Sequence, residues 1–146
     1  MRKTLAILCL LYWCAPAEVH AKAKPGRFVV DAKGETVLDT TTKLTWQRVV
    51  PAQTYAWQAA KDACKALPTA SGGWRLPTVR ELRSLVDFGH INQSIDKTAF
   101  PNTPSEWFWS ATAYSGSSSL AWVVIFDFGS SSYYDVTNAF RVRCVR

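Results

Sequence analysis

Apolar clusters and polar punctuation divide this chain into recognisable elements. Phe28-Val29-Val30 is a short run of strand type. Thr36-Val37-Leu38-Asp39 and Leu44-Thr45-Trp46-Gln47, joined by the polar stretch Thr40–Lys43, read as a hairpin. The period then changes. Trp57, Ala60, Cys64 and Leu67 recur at helical spacing in a helix expected from Tyr55 to about Leu67, with Thr54 as its cap and Pro68 at its end. Ser71-Gly72-Gly73 loops into Trp74-Arg75-Leu76-Pro77. Thr78-Val79-Arg80-Glu81 has the form of a capping box, in which the hydroxyl and the carboxylate satisfy backbone donors at a helix start. Val79, Leu82, Leu85 and Val86 give that second helix an apolar stripe. Asp87 to Ser105 is a loop of nineteen residues containing Pro101 and Pro104, long enough in a small domain to suggest function or packing of its own.

The last third predicts strands at Trp107–Ala111, Ala121–Phe128 and Ala139–Arg146, separated by the polar loops 114–119 and 129–135. In the final strand Phe140, Val142 and Cys144 fall on one face, and Arg141 and Arg143 on the other. Trp74, Leu76, Leu82, Leu85, Trp109 and Trp122 are expected to be buried.

Composition changes the picture chiefly at the N-terminus. Arg2 and Lys3 precede a mostly apolar run from Thr4 to Cys14, followed by Pro16 and by the small-residue patterns Val19-His20-Ala21 and Ala21-Lys22-Ala23. This is the layout of a secretory signal peptide, so residues 1–23 are expected to be cleaved and residues 24–146 to form one domain. The apolar run is shorter than the roughly 20 residues a membrane span requires. Trp13 before Cys14 argues against lipidation. The expected location is extracytoplasmic: periplasm, cell surface or secreted. Without residues 1–23 the chain loses three of 17 basic and one of 11 acidic residues, leaving a net charge of about +4. The basic residues are scattered, with no run or stripe of the kind nucleic-acid binding requires. Two cysteines remain, Cys64 and Cys144. An even pair in an exported chain reads as a disulfide, the alternative being two buried thiols.

An ordered series of motifs then points to a family. Gly73-Trp74-Arg75-Leu76-Pro77-Thr78 is followed by Glu81-Leu82, Ile95-Asp96, Phe100-Pro101-Asn102-Thr103-Pro104 and Phe108-Trp109-Ser110-Ala111-Thr112. Ala121-Trp122-Val123-Val124, Phe128-Gly129 and Val142-Arg143-Cys144-Val145-Arg146 complete it. From Thr36 to Arg146 the chain resembles the Lcl C-terminal domain family, named after a bacterial collagen-like adhesin. Trp-Arg-Leu-Pro-Thr also resembles formylglycine-generating and sulfatase-modifying domains. The resemblance implies an α+β, C-type-lectin-like fold: two helices flanking twisted antiparallel sheets, with one disulfide from the first helix to the last strand. Asn92-Gln93 lacks the proline expected after the asparagine, and the chain has no collagen-like Gly-X-Y segment.

The chemistry of the residues argues for recognition. His90 is the one histidine outside the leader, and no G-x-S-x-G motif presents a serine to it. His90 is therefore expected to be a solvent-facing loop residue, and no catalytic residue or cofactor is assigned. The Glu-Pro-Asn, Gln-Pro-Asp and Trp-Asn-Asp triplets of calcium-dependent sugar binding are missing. Asp87, Asn92, Asp96 and Asn102 form a conceivable cation cluster, with loop-internal capping the plainer reading; no metal is assigned. Trp107, Tyr114, Tyr133 and Tyr134 stand beside Ser/Gly-rich loops, a composition suited to adaptable binding surfaces. They are the expected ligand-binding residues, with coverage of a sheet edge as the plainer reading. The function expected is an exported, non-catalytic adhesion or recognition module for a glycan or surface protein. No nucleic-acid partner and no stable membrane span in the mature chain are expected, and the alternative role is a structural accessory of a surface fibre or envelope complex.

Overall fold

The computed structural model describes residues 24–68, 72–90 and 93–146. The leader assigned to residues 1–23 and the Asn92 ligand candidate lie outside the described residues. Within them the order is β1 (Phe28–Val30), β2 (Thr36–Asp39), β3 (Thr45–Gln47), α1 (Trp57–Lys65), α2 (Val79–Arg83), β4 (Trp107–Ala113), β5 (Leu120–Ile125) and β6 (Ser130–Asp135). Two antiparallel sheets, β1-β2-β3 and β4-β5-β6, make this an α+β protein. No described helix is long and apolar enough to cross a membrane.

Sheet β4-β5-β6 separates two apolar lobes because strand side chains alternate between faces. Phe108 and Val124 point into one lobe with Val37, Trp46, Leu82, Leu85, Ile95, Phe100, Phe126 and Val145. Trp109, Ala121 and Val123 point into the other with Ala60, Cys64, Trp74, Leu76, Val142 and Cys144. Of the six residues expected in the interior, Trp74, Leu76, Leu82, Leu85 and Trp109 are buried. Trp122 is not. It sits on the outer part of the sheet, only partly covered.

α2 starts as the sequence indicates. The Thr78 hydroxyl accepts from the Glu81 N–H, and the Glu81 carboxylate accepts from the Thr78 N–H at 2.8 Å. α1 differs from expectation. Its N-cap is Ala56 rather than Thr54, and no side chain caps it. Tyr55 is withheld from the helix because its N–H and C=O pair with Phe140, at 2.9 and 3.0 Å. The Trp57 N–H, an otherwise orphaned helix donor, donates to the Val136 carbonyl.

Two expectations about the last third are overturned. Residues 129–135, expected as a polar loop, contain β6, paired with β5 in unbroken register from Leu120↔Asp135 to Ile125↔Ser130. β5 accordingly stops at Ile125, and the chain reverses through a turn at Gly129 (φ 66°). Residues 139–146, expected as a strand, are held by isolated bridges instead: Phe140 to Tyr55, Arg141 to Phe108, and Val145 to both Trp46 and Arg75. This segment lies between the two lobes. Val142 and Cys144 enter one, Arg143 and Val145 the other, so residue 143 has no solvent face to occupy.

Arg143 is consequently buried completely. Its Nη1 donates to the carbonyls of Gln47 and Arg48 and its Nη2 to the Thr103 hydroxyl, all at 2.8 Å. The guanidinium lies 4.7 Å over the Phe100 ring. Desolvation pushes its pKa down to about 9, which leaves it charged at neutral pH. The Nε–H has no partner among the described residues. Arg141 keeps a polar environment, forked onto Glu106 and bonded to the Pro51 and Ala52 carbonyls.

Cys64 on α1 and Cys144 on the final segment form a disulfide, with Cα atoms 5.4 Å apart, as the even cysteine pair led us to expect. It closes an 80-residue separation, for which loop-closure entropy corresponds to roughly 4.5 kcal/mol.

Candidate aromatic recognition face

Strand alternation splits the four ligand-binding candidates into two pairs. Tyr133 and Tyr134 are neighbours on β6 and point to opposite faces. Tyr134 turns inward: its ring meets Trp107 at 5.5 Å and Phe140 at 5.2 Å, beside the lobe that holds the disulfide. Tyr133 turns outward and is 43% exposed. Its ring stacks on Tyr114 with centroids 4.1 Å apart and planes 19° apart. The structure therefore unites Tyr114 with Tyr133, places Trp107 with Tyr134, and does not assemble the four into one surface.

Trp122 completes the outer cluster, a role its sequence position between apolar residues conceals. It is the cross-strand partner of Tyr133 and meets Tyr133 and Tyr114 edge-on at 5.6 and 5.8 Å. Such geometry aligns ring edges with ring faces and is worth about 0.5–1.5 kcal/mol per pair beyond area burial. A Ser/Gly turn positions Tyr114. The Tyr114 N–H donates to Leu120, the Ser117 N–H returns to Tyr114, and the Ser117 and Ser119 hydroxyls bond each other at 2.9 Å. A Cβ on Gly116 would lie 2.5 Å from Tyr114 Cε1, so the turn admits the folded-over ring only because residue 116 has no side chain.

The long loop is organised around its own backbone. Asp96 Oδ1 accepts from the Thr98 and Ala99 N–H groups at 2.9 and 3.0 Å, and Asp87 Oδ1 accepts from Gly89. These are the capping roles that Asp takes in turns. Among the described residues no three His, Cys, Asp or Glu side chains are grouped to hold a metal ion. His90 is partly buried, with its Nε2 3.6 Å from Asp87 Oδ2, rather than solvent-facing.

Two further surface features were not legible from local pattern. Phe88 and Phe128 are 64% and 74% exposed at the β5–β6 turn, and the Phe88 ring packs over Gly129. On the other side of the sheet, a groove of about 390 Å³ between α1 and the Trp74–Thr78 segment is lined by Lys61, Lys65, Arg75, Leu76, Thr78 and Ala111. Arg75 is committed to Glu81 through two bonds of 2.7 and 2.8 Å. With the Thr78 backbone N–H, this fork holds the Glu81 carboxyl down at about 2 despite partial burial.

The chain matches the Lcl C-terminal domain over residues 35–146, and it belongs to that family. No protein of curated function matches it.

Proposed function

We propose that this protein is an exported, non-catalytic recognition module of C-type-lectin-like architecture that binds a glycan at the cell envelope. The observation that carries the reading is the outward Tyr133 ring, presented by its stack on Tyr114 and the edge of Trp122. A rigid, half-exposed aromatic plane is the surface on which the apolar face of a sugar ring packs. The neighbouring serines Ser117 and Ser119 supply hydroxyls for hydrogen bonds. The lectin-like architecture is supported by the disulfide from the first helix to the last segment and by that segment's position beside β3.

A glycan array probed with the purified protein tests this, followed by calorimetry on any ligand retained. Tyr133→Ala is expected to weaken binding about tenfold, equivalent to about 1.4 kcal/mol of lost stacking on the ligand, and to cost about 1–3 kcal/mol of stability through its lost ring pairs with Tyr114 and Trp122. Tyr134→Ala is expected to lower the melting temperature, because its ring packs inward. Retention of no glycan, or a Tyr133→Ala variant that binds like the parent, would exclude the reading. The alternative role as an assembly accessory draws on Phe88 and Phe128, whose exposure suits a protein partner. Co-purification lost on Phe88→Ser and Phe128→Ser, with no glycan bound, would favour it.

A further inference from the structure

We propose that the groove between α1 and the Trp74–Thr78 segment is a second binding site, for a small amphiphilic anion: a carboxylate or sulfonate head on a short apolar body. Apolar Leu76 and Ala111 share its lining with the cationic Lys61, Lys65 and Arg75. A volume of about 390 Å³ lies at the lower end of small-molecule sites.

The charges of the lining are not equivalent. Arg75 is neutralised by its fork onto Glu81. Lys61 and Lys65 are four residues apart on α1, where two ammonium groups share one helix face and repel. Neither forms an ion pair among the described residues. Lys61 lies 3.3 Å over the Trp57 ring and donates to the neutral Gln58 Oε1 at 3.5 Å. Partial burial, and then the charge of Lys65, lower the Lys61 pKa. An anionic head between the two ammonium groups would offset their mutual repulsion, while a neutral or cationic head would not. The apolar part of the lining selects against a purely polar ion, because only an apolar body gains from covering it.

The site stands apart from the proposed glycan face. Ala111 belongs to the side of the sheet that α1 covers, whereas Tyr133 and Trp122 project from the other. The two proposals therefore fail separately.

Calorimetric titration of the purified protein with sodium decanoate, kept below its micelle concentration, tests the site. Acetate and decyltrimethylammonium are the head and tail controls. Decanoate is expected to bind saturably, at least about tenfold tighter than either control. The double variant Lys61→Gln/Lys65→Gln should weaken decanoate at least about tenfold with an unchanged melting temperature. Tyr133→Ala should leave decanoate binding as in the parent. Equal binding of decyltrimethylammonium, no decanoate binding at millimolar concentration, or binding indifferent to the lysine substitutions would overturn the assignment.

Discussion

Arg143→Met removes a charge that no acidic group among the described residues balances, and its cost follows from the bonds it breaks. Three acceptors face the guanidinium at 2.8 Å: the Gln47 carbonyl, the Arg48 carbonyl and the Thr103 hydroxyl. Thr103 still donates to the Phe100 carbonyl after the substitution, so the loss concentrates on the two backbone carbonyls. A buried acceptor stripped of its donor costs about 1–3 kcal/mol, which gives about 2–6 kcal/mol for the pair. Methionine fills most of the volume, and the desolvation that depresses the Arg143 pKa is no longer suffered, so a net loss of about 2–4 kcal/mol is expected. Arg143→Lys separates geometry from charge. One compact ammonium retains the desolvation cost but cannot span all three acceptors or lie flat on Phe100, so lysine should be at least as damaging as methionine. Guanidinium denaturation at pH 7 with the disulfide intact, followed by fluorescence of the buried Trp46 and Trp109, measures both variants. A methionine variant within about 1 kcal/mol of the parent, or a lysine variant that restores full stability, would refute the account.

Gly116→Ala places a methyl group against the Tyr114 ring, so it should displace the Tyr114–Tyr133 stack and weaken ligand binding with a loss of only about 1 kcal/mol in stability; near-ultraviolet circular dichroism reads the stack directly. The Glu81 carboxyl is held by Arg75 near a pKa of about 2, below its ordinary 4.5. Its contribution is therefore fully present above about pH 4.5 and is lost as pH falls towards 2. With Arg75 partly exposed, about 1–2 kcal/mol should disappear over that window and be absent from Glu81→Gln, as acid titrations of the melting temperature would show. Reduction of Cys64–Cys144, or Cys64→Ala with Cys144→Ala, should cost about 2–5 kcal/mol in denaturant unfolding, while non-reducing mass spectrometry of the parent finds no free thiol among residues 24–146.

Local chemistry was readable where the determinants are close in sequence. Thr78 and Glu81 fix the start of α2 by themselves, and the spacing of Ala60 and Cys64 finds the buried face of α1 without help from the rest of the chain. What escaped was set by distant partners. Ser130-Ser131-Ser132-Tyr133-Tyr134-Asp135 reads as a loop by composition, yet β5 offers it a complete ladder, and a strand at a sheet edge tolerates serine. Once β6 is a strand, the opposite orientations of Tyr133 and Tyr134 follow at once, and the four-residue aromatic site divides. The burial of Arg143 was hidden for a related reason. Period-two alternation tells which residues share a face, but not that both faces of segment 140–146 are covered. Trp122 looked like core because its neighbours are, although it is only partly covered and packs with Tyr114 and Tyr133.

The segment 140–146 also imposes an order of events on a chain made from its N-terminus. Thr45 and Arg146 exchange backbone hydrogen bonds, as do Arg75 and Val145 and also Tyr55 and Phe140. Cys64 must wait for its sulfur partner. Until residue 146 has been synthesised, β3, the entry to α1 and the Trp74–Pro77 strap lack their keystone, and both lobes stand open. Early compaction is therefore denied its main rewards, and loop closure over some hundred residues is the late, slow step. Truncations that remove the last few residues should leave this chain unfolded rather than slightly shortened, the behaviour of an arch rather than a wall.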